Sequence, residues 1–109
     1  MNWFITEQER EKNSTAYFEF QKGTYSGTVW QDDSILLEDE LFDEYNLSKL
    51  FKAVLSDFDY YGITVFTRKD WLRICELAKN TAAEELLIEL SPWIDDCFSE
   101  YETVSLLGL

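Results

Sequence analysis

The sequence predicts an α+β fold: a small antiparallel sheet formed mainly by the N-terminal half, packed with three to four helices and closed by a short C-terminal strand. Three observations lead there. Aromatic residues alternate with other side chains before Trp30, the apolar spacing lengthens to a helical period after Ser34, and the chain ends on the apolar run "TVSLLGL". At 109 residues the chain suffices for one core and is too short for two, so residues 1–109 read as a single domain. With 46% hydrophobic and 17% aromatic residues, it has the apolar content that disordered chains lack.

"NWFIT" offers a first strand and "EQEREKNS" a polar connection. Ala16, Phe18 and Phe20 alternate with Tyr17 and Glu19, the "QKGT" turn gives Gly23 room for positive φ, and "TYSGTVW" is rich in β-formers. A hairpin from about Thr15 to Trp30 is therefore expected. From Ser34, the spacing of Leu37, Leu41 and Tyr45, with Phe42 beside them, suits a short amphipathic helix, although Ile35 to Leu37 also suit a third strand.

Leu47, Leu50, Phe51, Val54, Leu55 and Phe58 then form one buried helical stripe, which should stop before Gly62. "ITVF" reads as a buried strand. Thr67 with Asp70 opens a helix carrying Trp71, Ile74, Cys75 and Ala78 on one face, and Thr81 with Glu84 repeats the start signal. That last helix has Ala83, Leu86, Leu87, Leu90, Ile94, Cys97, Phe98 and Tyr101 on its apolar side and Pro92 in its middle, where it either kinks or restarts. The closing "TVSLLGL" must be a short strand or a docked tail, because Val104, Leu106, Leu107 and Leu109 in water would form an apolar patch.

Charge narrows the function. The 22 acids against 9 bases give a net charge of −13, which repels nucleic-acid phosphates and anionic lipid and steers basic partners inward. Neither nucleic-acid nor membrane binding is expected. No run approaches the roughly 20 apolar residues of a membrane span, and the N-terminus lacks a secretory pattern. The chain reads as cytoplasmic, with Cys75 and Cys97 as buried free thiols.

The chain contains no His, which removes the usual general base and the commonest transition-metal ligand. Two separated Cys make no zinc set, and glycines at 23, 27, 62 and 108 make no phosphate loop. Asp57, Asp59 and Gly62 match three positions of a calcium loop, but the twelfth holds Arg68 instead of Glu. Many carboxylate pairs exist and nothing selects one. No enzymatic activity, cofactor or metal is expected.

What remains is the stretch "QDDSILLEDELFDEY", residues 31–45, in which seven of fifteen residues are acids and none is basic. Its apolar residues have a structural explanation, whereas its unneutralised charge costs stability and suggests recognition. Carboxylates can pair with Arg and Lys of a phosphate-binding groove while Tyr anchors the contact. The partner-binding candidates are Asp32, Asp33, Glu38, Asp39, Glu40, Asp43, Glu44 and Tyr45. A second surface, "SDFDYYG", contributes Asp57, Asp59, Tyr60 and Tyr61, and a third acidic group comprises Asp95, Asp96, Glu100 and Glu102. Trp71 and Trp93 read as core.

"FDYYGITVFTRKDWLRICELA" followed by "PWIDDCFSEYETVSLLGL" resembles small acidic bacterial immunity proteins of polymorphic toxin and contact-dependent growth inhibition systems. The resemblance implies a cytoplasmic protein that binds the C-terminal domain of a cognate toxin, commonly a nuclease, and occludes or distorts its active site. The acidic charge adds the expectation that this nuclease is basic, and the chain itself is expected to be a monomer or weak dimer. The rival reading is an acidic nucleic-acid mimic that inhibits a DNA- or RNA-binding protein. A mimic needs carboxylates spread along an elongated surface; an inhibitor needs one compact patch with an aromatic centre.

Overall fold

The computed structural model describes residues 2–11 and 16–109. Its sheet has five strands: β1 (Ile5–Thr6), β2 (Tyr17–Lys22), β3 (Ile35–Glu38), β4 (Ile63–Thr67) and β5 (Thr103–Leu107). They lie in the order β1-β3-β2-β5-β4, every neighbouring pair antiparallel. Four α-helices complete the fold: α1 (Asp39–Glu44), α2 (Leu47–Val54), α3 (Arg68–Ala78) and α4 (Glu84–Glu100). The expected α+β class is thus observed, and the C-terminal strand sits inside the sheet, between β2 and β4.

Strand periodicity places the core. Phe18 and Phe20 of β2, Ile35 and Leu37 of β3, Phe66 of β4, and Val104 and Leu106 of β5 join one buried cluster with Phe42, Phe51, Trp71, Ile74, Leu86, Leu90 and Ile94 from the helices. Phe18 and Phe42 stack at 3.7 Å, and Phe51 meets Phe20 and Phe66 edge-on. Asn46, at φ 55°, lets the chain reverse between α1 and α2, a backbone state that Asn tolerates better than most residues.

The expected hairpin does not form. "TYSGTVW" is no strand; residues 23–34 instead fold across the outer face of the sheet. Gln21 Nε2 donates to the Thr28 carbonyl, and Ser105 Oγ accepts from the Tyr25 N–H. β2 pairs with β3 and β5 instead, while its Glu19 accepts from the Trp30 and Gln31 N–H groups and draws that segment over the sheet rather than alongside it. Thr15, where the hairpin was expected to open, lies outside the described residues, as do Lys12 to Ser14 of the polar connection.

Other expectations shift. Residues 35–38 adopt the strand alternative, so the helix begins only at Asp39. α2 stops at Val54, and Leu55 and Phe58 pack beyond its end. β4 is not buried: its burial alternates, because it forms a sheet edge with one open face.

The Thr67–Asp70 capping box opens α3 as expected. Thr81 does not cap α4, which begins after Ala83 without a side-chain cap; the Thr81 hydroxyl donates to the Ala78 carbonyl instead. α4 continues through Pro92, whose exposed position puts the missing backbone bond on the solvent side.

Candidate protein-interaction surface

The two acidic stretches singled out in the sequence meet in space. Tyr60 Oη donates to both carboxylate oxygens of Asp43, at 2.9 and 3.1 Å, and so ties the 57–62 turn to α1. The Tyr60 ring lies edge-on to Phe18 and Phe42 of the core at 5.1 and 6.2 Å. Burial first, then the Asp43 hydrogen bond and the negative charge of Asp43 and Asp39, push the phenol up to about 12. Tyr61 packs against Tyr60 at 4.9 Å yet is 76% exposed, an amphipathic side chain held by its neighbour and presented to solvent.

The turn is held internally. Asp59 Oδ1 accepts from the Tyr61 N–H, the Asp59 N–H donates to Thr64 Oγ1, and the Gly62 N–H donates to the Asp59 carbonyl. The C-terminal backbone secures it: the Gly108 N–H donates to the Gly62 carbonyl at 2.7 Å and the Leu109 N–H to the Tyr60 carbonyl at 2.9 Å. A Cβ at Gly108 would fall 2.1 Å from that Tyr60 oxygen, so only glycine permits the approach.

Glu38, Glu40, Asp43, Glu44, Asp57 and Asp59 are exposed around this junction, and Asp39 is half-buried at the head of α1. Glu38, Asp39 and Glu40 also border a polar depression with Tyr17 and Glu11. Among the described residues, the ion pairs are Arg10–Glu7, Lys22–Asp96 and Lys79–Glu76, so none of these acids is neutralised by a base. Lys22 claims Asp96 of the third acidic group, and that contact raises the lysine's pKa.

The remaining candidates lie elsewhere. Asp32 and Asp33 precede β3, whereas Glu38 ends it; the strand between them, Ile35–Glu38, alone spans roughly 10 Å at about 3.3 Å per residue, so the two acids lie at its other end. The Asp33 carbonyl accepts from Trp93 Nε1 at 2.9 Å, and both acids line a cavity with Thr6, Glu89 and Trp93. The Tyr45 hydroxyl accepts from Trp3 Nε1 at 3.1 Å and its ring meets that of Trp3 edge-on, so Tyr45 is engaged with the N-terminal segment.

No protein-family model matches the chain, and no curated protein or solved structure is significantly similar to it. Among the described residues, no group of three or more His, Cys, Asp or Glu side chains is arranged to hold a metal ion. No described helix is long and apolar enough to cross a membrane.

Two carboxylates that sequence reasoning passed over are central to the architecture. Glu19, 2% exposed, accepts from the Trp30 N–H (3.0 Å), the Gln31 N–H (3.0 Å), Ser34 Oγ (2.6 Å) and Gln21 Nε2 (3.0 Å). It anchors the segment that covers the outer face. Trp30 is held there at φ 56°, an uncommon state for a bulky residue, with Arg10 stacked 4.2 Å over its ring.

Glu89 of α4 accepts from the backbone N–H groups of Asn2, Trp3 and Phe4 and so docks the N-terminal segment. Burial alone would raise its carboxyl, but these bonds outweigh burial and hold it below the usual range. Only the odd polar position inside an aromatic strand hinted at Glu19; nothing local distinguished Glu89 from the other acids of its helix.

Proposed function

We propose that this chain is an immunity protein that binds and neutralises a cognate toxin domain, a basic nuclease, through the acidic, aromatic-containing surface of α1 and the 57–61 turn. The Asp43–Tyr60 junction carries the reading: it joins two acid-rich segments, with the exposed Tyr61 packed beside it. Unpaired carboxylates steer a cationic groove, and a pre-positioned Tyr supplies contact area at little entropic cost. Such a protein would act in the cytoplasm, where Cys75 and Cys97 stay free thiols. The compact molecule, 34 × 29 × 25 Å, favours a local inhibitor over a mimic that must track a length of duplex.

The test begins with the product of the upstream neighbouring open reading frame, taking its C-terminal domain if small and basic. Co-expression of this chain should protect cells from that domain, and the two should form a complex at low salt. Converting Asp39, Glu40, Asp43 and Glu44 to Asn or Gln should slow association and flatten its salt dependence with the fold intact. Tyr61→Ala should weaken the complex by about 2 kcal/mol, mostly through faster dissociation. Failure of both protection and complex formation would sink the proposal.

A further inference from the structure

We infer that β4 is a self-association edge, through which two copies of this chain join their sheets antiparallel into one ten-stranded sheet. β4 ends the sheet order, and its backbone hydrogen-bonding parity can be worked out. The Gly23 N–H donates to the Thr103 carbonyl, and the Gly108 N–H donates to the Gly62 carbonyl. Along β5 the odd residues therefore bond to β2 and the even residues to β4, because antiparallel pairs alternate. The register pairs Thr64 with Leu106 and Phe66 with Val104, so these even residues of β4 use their groups inward. Ile63, Val65 and Thr67 then point their N–H and C=O groups away from the sheet.

Thr67 is already committed, since its N–H donates to Asp70 Oδ2 in the capping box and its carbonyl belongs to the first turn of α3. Ile63 and Val65 remain, with two donors and two acceptors between them. A second copy, related by a two-fold axis beside Thr64, satisfies all of them: Ile63 pairs with Val65 of the second copy and Val65 with its Ile63, giving four hydrogen bonds. The Thr67 cap and the Asp59–Tyr61 turn end the ladder on either side.

Side chains and charge agree with this register. Ile63 and Val65 are 45% and 36% exposed on the open face, and each would meet the other's counterpart across the new pair. The strand Ile63–Thr67 contains no proline or charge, the usual protections of an exposed edge. Its flanks have opposite signs: Asp57 and Asp59 precede it, and Arg68 and Lys69 follow it. Antiparallel pairing sets the acidic end of one copy against the basic end of the other at both ends. A strand from an unrelated protein would have to reproduce that polarity, whereas a second copy does so by symmetry.

Two short strands make an interface at the small end of the known range, so the dimer should exchange quickly, with a dissociation constant on the order of 0.1 mM. The net charge of −13 on each copy calls for measurement near physiological salt, where the Debye length is about 8 Å. Sedimentation at rising concentration should show the mass climbing from 12.9 kDa toward twice that value. Amide exchange at Ile63 and Val65 should slow in step, while Thr64 and Phe66 stay unchanged.

Val65→Lys, outward on the open face, should remain monomeric with an unchanged urea midpoint. Lys69→Glu should weaken the dimer, and adding Asp57→Lys should restore it. A wild-type mass that stays monomeric at millimolar concentration would overturn the inference, even if a foreign strand occupied the edge. A dimer that survives Val65→Lys would overturn it equally.

Discussion

Glu19→Gln keeps the shape of the buried side chain and changes only its charge and one acceptor, so its effect can be worked from the contacts. Three donors converge on Oε2 and the Trp30 N–H meets Oε1. With the amide oxygen left on the three-donor side, its NH2 faces the Trp30 N–H, a donor against a donor. One buried unsatisfied N–H costs about 1–3 kcal/mol, and the three remaining bonds each lose about 1 kcal/mol with the charge. The total, about 4–6 kcal/mol, is a large part of the 5–15 kcal/mol that usually holds a domain together.

Urea unfolding should therefore show a much lower midpoint with an unchanged slope. Amide exchange should quicken first at Trp30 and Gln31, because the positive φ of Trp30 loses the acceptor that holds it. A loss below about 1 kcal/mol would refute the reasoning, since the cover over the outer face would then be held by something other than this carboxylate.

Three more outcomes follow from single side chains. Tyr60, raised to about 12 by burial and by Asp43, favours its neutral form in the folded state; the stability it contributes is full below the ordinary tyrosine pKa near 10 and is lost as pH rises toward 12. Ultraviolet titration should show one late phenol that disappears in Tyr60→Phe and titrates earlier in Asp43→Asn. Glu89 has its pKa held low, so its contribution is present above the ordinary carboxyl pKa of about 4.5 and fades as pH falls below it; amides of Asn2, Trp3 and Phe4 should exchange faster there, and in Glu89→Gln at neutral pH. Thr67→Ala should cost about 1 kcal/mol in thermal unfolding by removing the α3 cap, with the β4 register intact.

The legible parts of the fold were those decided within a few residues. The Thr67–Asp70 box and the α2 stripe of Leu47, Leu50, Phe51 and Val54 depend on i, i+3 and i, i+4 spacing, and both are present. Ile35 to Leu37 suit a strand or a helix locally; pairing with β1 and β2 on either side decided for the strand. The hairpin failed because Glu19 finds Trp30, Gln31 and Ser34 across 11 to 15 residues, and such a partner leaves no periodic trace. The acidic surface was legible as two separate stretches. Their junction was not, since Tyr60 reaches Asp43 through a turn whose path is set by the C-terminal backbone.

The central place of β5 makes the sheet a candidate for splitting. Cut before Thr103, the chain would retain β2 and β4 with a strand-wide gap between them and with the partners of Phe20, Gln21, Val65 and Phe66 missing. Neither piece could complete the core alone, because Val104 and Leu106 are buried in it. A peptide carrying residues 103–109 would fit one slot only, its odd residues matched to β2 and its even residues to β4. Folding would then report the meeting of two fragments, and the same seven residues would rebuild the turn that presents Tyr61.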